Sequence, residues 1–131
     1  MTNYPEPTRV LSLKGAELIL LPTNWPEGAE ISADYNAVVR AAENRVFFAT
    51  CDRVGEENGF SFIGKSKIVA PNGKILAAAG AIEETIVADI DLSQARQKRA
   101  VIRPGEYEFE ALASRRPELY GALAEPVTVK A

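Results

Sequence analysis

The sequence predicts one α/β domain with a mixed parallel and antiparallel sheet and helices mainly on one face. Three observations carry this expectation. Two short, continuous apolar runs each follow a helical pattern, the second half alternates extended segments with turn chemistry, and the length leaves room for a single domain. The chain has 131 residues, against about 150 for a typical domain. With 47% hydrophobic and 25% charged residues it has the make-up of a globular protein able to bury a core.

Pro5 and Pro7 lead into a short helix over residues 8–14, since proline is tolerated in a helix's first turn. Gly15 is placed to end it in a left-handed conformation. The run Glu17-Leu18-Ile19-Leu20-Leu21, closed by Pro22, reads as a strand buried on both faces. Residues 23–32 form a loop by composition, and Ser32 is a suitable N-cap for a second helix. There Tyr35, Val38, Val39 and Ala42 recur at helical spacing and predict the buried stripe. Val46-Phe47-Phe48-Ala49-Thr50 is a second strand of β-favouring types. Helix, strand, helix, strand is the order that lays parallel strands side by side.

Past residue 59 the pattern becomes an antiparallel meander. Extended segments at 60–63 and 66–70 precede the turn Pro71-Asn72-Gly73, and residues 74–78 return. Alternation of Ile86, Ala88 and Ile90 with Val87 and Asp89 predicts a further strand over 85–90. A polar surface helix is expected over 93–101, ended before Pro104-Gly105. Residues 106–131 read as a short helical turn, then Arg115-Arg116-Pro117, then an extended end.

Composition also excludes chemistry. The net charge of -3 argues against nucleic acid as a partner. No apolar run approaches the roughly 20 residues of a membrane-crossing helix, and the first residues lack the pattern of a signal peptide, so a cytoplasmic location is expected. With no histidine, the chain has no Ser-His-Asp or Cys-His nucleophile system and no His-ligated metal site of its own. No metal or cofactor is therefore expected. One cysteine rules out an internal disulfide. Cys51 itself fits a small apolar residue at a strand end better than a nucleophile, because Arg53 is its only nearby cation in sequence. Gly55-Glu56-Glu57-Asn58-Gly59 matches no phosphate-binding loop and reads as a solvated turn, and Arg96, Lys98, Arg99 and Arg103 read as a solvated helix face.

Thr23, Asn24 and Trp25 are the candidate binding residues. They follow the first buried strand, and ligands in open α/β sheets sit beyond the carboxyl ends of strands. An indole beside an amide and a hydroxyl offers an apolar wall with donors and acceptors. The same residues also fit a turn whose tryptophan caps the core, and pattern alone leaves both readings open.

An ordered set of segments resembles the nitrilase, or carbon–nitrogen hydrolase, superfamily. They are Tyr4-Pro5-Glu6, the stretch from Leu13 to Pro22, Ala42-Glu43-Asn44-Arg45-Val46-Phe47, Asp52-Arg53-Val54-Gly55, Phe62-Ile63-Gly64-Lys65-Ser66, Pro71-Asn72-Gly73-Lys74-Ile75-Leu76 and Arg115-Arg116-Pro117-Glu118-Leu119-Tyr120. The resemblance implies half of an αββα sandwich, with residues 1–131 as a single C-terminal half-domain. It implies hydrolysis of amide, nitrile or carbamoyl C–N bonds by a cysteine nucleophile, a glutamate base and a lysine. In the family pattern that cysteine lies a few residues before the segment matching Tyr4-Pro5-Glu6, and the glutamate and lysine lie further upstream. The chain is thus expected to begin just after the nucleophile, to hold no catalytic residue, and to be inactive alone. The alternative is a non-catalytic assembly protein. Thr23, Asn24 and Trp25 match a loop that lines the family's substrate pocket. The resemblance also implies that the 104–131 tail lies at a subunit interface. The expected partners are a second copy or a complementary N-terminal half, and a small amide or nitrile substrate once completed. Helices on one face alone would leave an apolar sheet face bare, which also predicts self-association.

Overall fold

The computed structural model describes residues 3–127. Helix α1, Pro5–Leu13, starts with proline in its first turn and stops where the Lys14 N–H reaches back to the carbonyls of Val10 and Leu11. Gly15 then takes a φ of 93°. Strand β1 is Leu18–Thr23 and strand β2 is Phe47–Asp52, paired parallel from Leu18 opposite Phe47 to Thr23 opposite Asp52. Between them a π-turn, Ser32–Asn36, runs into helix α2, Ala37–Asn44. Strands β3, Val54–Glu57, and β4, Phe60–Ile63, make a separate hairpin. Its turn residues Asn58 and Gly59 both have positive φ, as the mirror-image turns of tight hairpins require. Strands β5, Lys67–Val69, and β6, Ile75–Ala78, complete a four-stranded sheet in the order β1-β2-β5-β6, with both new pairings antiparallel. The mixed α/β architecture is the one expected.

The main core lies between this sheet and α2. Ile19, Phe48 and Val69 point to one face and meet Ala37, Ala41 and Val46. That face differs from the stripe expected for the helix. Tyr35 is 66% exposed and Val39 is exposed as well, whereas Ala33, Ala37 and Ala41 are fully buried. The π-turn explains the shift, because its extra residue rotates the helix face, and alanines let the helix approach the sheet closely. Ser32 is not an N-cap either. It sits inside the π-turn, where its hydroxyl donates to Asn3 Oδ1 at 2.6 Å.

Strand β1 is covered on one face only, contrary to the reading of a doubly buried run. Ile19 is 4% exposed and Leu20 67%. The far face carries Phe47 and Ala70, capped by Ala95, Leu76 and Ile90, but nothing covers Leu20. Residues 85–90 form no strand, although Ile86, Ala88 and Ile90 are half-buried as their alternation implied. The segment crosses the far face, where Ile90 packs near Phe47, and pairs with no strand edge. The expected helix over 93–101 shrinks to α3, Ser93–Arg96. After it, β7, Arg99–Arg103, pairs antiparallel with β8, Tyr107–Glu110, so Pro104-Gly105 serves a hairpin turn rather than a helix end. Residues placed in a helical turn after 106 are thus partly strand, followed by 3₁₀ turns at Pro117–Leu119 and Gly121–Ala124. Residues 128–131, expected to be extended, lie outside the described residues.

Candidate functional site

Parallel pairing sets the carboxyl ends of β1 and β2 side by side, with Pro22 opposite Cys51 and Thr23 opposite Asp52. The two ends open into a depression of about 340 Å³ lined by Pro22, Thr23, Asn24, Cys51, Asp52 and Arg53. Two of the three candidate residues, Thr23 and Asn24, are on its wall. Trp25 is not among the lining residues and is only 7% exposed.

What holds Trp25 is a set of bonds from both sides. Its backbone N–H donates to Asp52 Oδ1 at 2.6 Å, and its carbonyl accepts from the Ile63 N–H at 3.0 Å. Next to it Pro26 bridges to Phe62, and the Glu27 N–H donates to the Ser61 carbonyl at 2.9 Å. The loop is therefore stitched to strand β4 as well as to the end of β2. Asp52 is itself fixed, since its N–H donates to Ser66 Oγ at 2.8 Å. Burial pushes the Asp52 carboxyl above the usual carboxylate range, opposed by the Trp25 N–H and neighbouring backbone. Its second oxygen is buried. Sequence reasoning passed over Asp52 as one part of a matched segment. A carboxylate ending a strand opposite Thr23 was the available signal.

Cys51 is exposed in the depression. The lining includes one cation, Arg53, and no lysine or glutamate. Arg53 is engaged elsewhere. Its guanidinium lies 4.7 Å from the centre of the Phe62 ring and pairs with Glu57. That pairing places Glu57 in a surface ion pair, but Gly55, Glu56 and Glu57 belong to strand β3 and only Asn58-Gly59 form the expected turn, because the segment pairs with β4. Arg96, Lys98, Arg99 and Arg103 do not share a helix face, since Arg96 ends α3 while Arg99 and Arg103 lie on β7. Arg96 pairs with Glu17 at 2.6 Å, Arg99 with Glu108, and Arg103 with Glu106 at 3.0 Å, while Lys98 Nζ donates to the Arg45 carbonyl at 2.8 Å. Among the described residues, no group of three or more Cys, Asp or Glu side chains converges to hold a metal ion, and no helix is long and apolar enough to cross a membrane.

A buried lysine lies on the other face of the sheet from Cys51. Lys67 is 5% exposed, and its Nζ reaches only the Asp34 carbonyl at 3.5 Å, while the Asp34 carboxylate is taken by Lys65 at 2.8 Å. Burial lowers the pKa of Lys67, partly offset by Asp34.

Comparison with known proteins agrees with this architecture. The carbon–nitrogen hydrolase family model matches residues 2–100. Over 97 residues the chain is 45% identical to a nitrilase of Pyrococcus abyssi, a match covering 73% of this chain and 36% of that protein. It is similar to a solved carbon–nitrogen hydrolase of Helicobacter pylori G27, with a TM-score of 0.77 at 25% identity over 95% of this chain and 46% of that one. An amidase of Nesterenkonia sp. AN1, solved with the acetamide moiety of fluoroacetamide added covalently at its active-site cysteine, gives a TM-score of 0.74 at 27% identity. That match covers 91% of this chain and 39% of the amidase. The chain thus spans less than half the length of each of these proteins. The chain belongs to the carbon–nitrogen hydrolase family, whose members include nitrilases and amidases.

Proposed function

We propose that this chain is the C-terminal part of a carbon–nitrogen hydrolase acting on a small amide, nitrile or carbamoyl compound, and that residues 1–131 alone do not turn such substrates over. In the reaction a cysteine thiolate attacks the substrate carbon, and an amide releases its amine with a proton from a general acid. A nitrile instead gives a thioimidate that takes up water and releases ammonia, and both routes arrive at a thioester. Water then hydrolyses the thioester to the acid and regenerates the thiol. Thr23 and Asn24 line the substrate pocket and Trp25 holds their loop, while the nucleophile, the glutamate and the lysine are supplied by a segment outside this chain. The observation that carries the reading is the make-up of the depression. Cys51 is its only sulfur, and neither a lysine nor a glutamate lines it to activate that thiol or stabilise a tetrahedral intermediate.

A second reading, a non-catalytic assembly protein, draws on the bare sheet face. Leu18, Leu20 and Cys51 are exposed on the side away from α2, and monomers seldom leave such a face open. Either reading predicts a partner on that face, a complementary N-terminal half or a second copy.

The test is an amide and nitrile substrate panel, run on the purified chain and again after co-expression with the N-terminal part of a carbon–nitrogen hydrolase. Turnover only in the second case is expected. Turnover by the chain alone that Cys51→Ala abolishes would overturn the proposal, and association without turnover would favour the assembly protein.

A further inference from the structure

We propose that Asp52 is a positioning residue, whose carboxylate clamps the 23–25 loop so that Thr23 and Asn24 face the depression in one fixed arrangement. The inference rests on the reading of that loop as the substrate pocket's wall. Thr23 ends β1 and is held there by the parallel ladder, opposite Asp52. The next fixed point is Trp25, and its N–H is held by the Asp52 carboxylate at 2.6 Å. Asn24 lies between these two anchors, so Asp52, together with the Ile63 N–H on the Trp25 carbonyl, sets the course of the chain across the pocket wall.

The chemistry of the clamp suits this role. An ionised carboxylate accepting a backbone N–H makes one of the stronger hydrogen bonds available. Backbone N–H groups of Arg53 and Gly64 also favour the charged form of the same carboxyl, so the group is anchored to its own strand end while it holds Trp25. The backbone behind the carboxylate is also held. The Asp52 N–H is bonded to Ser66 Oγ, and the Gly64 N–H to the Arg53 carbonyl at 2.9 Å. Gly64 leaves no space for a side chain, because a Cβ there would lie 2.6 Å from the Gly80 carbonyl oxygen. The clamp therefore stands on backbone that cannot shift far.

The experiment compares Asp52→Ala and Asp52→Asn with the unsubstituted chain by amide hydrogen exchange. The Phe48 amide, in the core part of the same strand, serves as the reference. In Asp52→Ala the Trp25 amide should exchange about tenfold faster, the factor for one lost net hydrogen bond, with Phe48 unchanged. In Asp52→Asn, whose side-chain oxygen can still accept, most of the protection should return. An unchanged Trp25 amide, or equal acceleration at Trp25 and Phe48, would overturn the clamp. In the co-expressed enzyme Asp52→Ala should raise KM about tenfold with kcat nearly constant, as loss of substrate positioning does, and Asp52→Asn should recover most of it. A fall in kcat at unchanged KM would also overturn it. Should the unsubstituted pair show no turnover, the functional reading fails and amide exchange alone decides the clamp.

Discussion

Replacing Gly64 with alanine should destabilise the fold by about 2–5 kcal/mol, through two costs that can be measured apart. Gly64 has a φ of 64°, and a left-handed backbone costs a residue with a Cβ about 1–2 kcal/mol. The second cost is steric. The added Cβ would meet the Gly80 carbonyl oxygen at 2.6 Å and Val54 Cγ1 at 2.8 Å. The first is backbone and cannot rotate aside, so overpacking adds about 1–3 kcal/mol. Gly59 supplies the control. Its φ is 81°, but nothing lies within 4 Å of the position its Cβ would take, so Gly59→Ala should show the backbone cost alone. Urea unfolding followed by far-UV circular dichroism, at one protein concentration and with a common slope, gives both values. Equal midpoints for the two variants would refute the packing of residue 64 against the 80–81 segment.

Four further outcomes are expected. Phe48→Ala removes a fully buried ring from between Ile19, Ala37, Ala41, Val46 and Val69, and should cost about 3–5 kcal/mol in the same unfolding assay. Lys67→Met should stabilise the chain at pH 7 by about 1 kcal/mol, since it removes a buried charge with one long carbonyl contact. Because burial lowers the folded pKa of Lys67 below its ordinary 10.5, the charged lysine costs stability below that folded value. Its penalty disappears as pH rises towards 10.5, so the gap to the methionine variant should close between pH 7 and 10.5, and a constant gap would refute it. Light scattering should find the unsubstituted chain above its 14.2 kDa monomer mass, and Leu20→Lys should shift it towards that mass; a monodisperse monomer before substitution would contradict association through the bare face. Cys51→Ala should leave measurable turnover in the co-expressed enzyme, with effects confined to KM because Cys51 lines the depression. Complete loss of kcat in a steady-state assay would return Cys51 to the chemistry.

What could be read from the residues in order were the features that local chemistry dictates. The helix behind Pro5, the apolar strands around Ile19 and Phe48, and the turn at Pro71-Asn72-Gly73 each follow from neighbours within a few positions. The family, too, was legible, because its matched segments are linear strings of residues. The misreadings came where a segment's fate depends on distant partners. Alternation at 85–90 marked which side chains are half-buried, but a strand also needs a pairing partner, and residues 85–90 pair with none. Val101 and Ile102 joined a hairpin because β8 was available to pair, overriding a helical pattern. The phase of α2 was set by a π-turn that no local periodicity announces.

For the site, the sequence by itself determined which residues are present: Thr23, Asn24 and Trp25 after a strand, one cysteine, and no histidine. Only the tertiary structure decided their placement. It put Cys51 beside Pro22 without a lysine or glutamate in the depression, turned Trp25 inward, and brought the Asp52 carboxylate to a backbone N–H 27 residues away in the chain. The physical reason is that hydrophobic patterning specifies burial, a property of single residues. Hydrogen-bond geometry and the pairing of parallel strands belong to the assembled sheet.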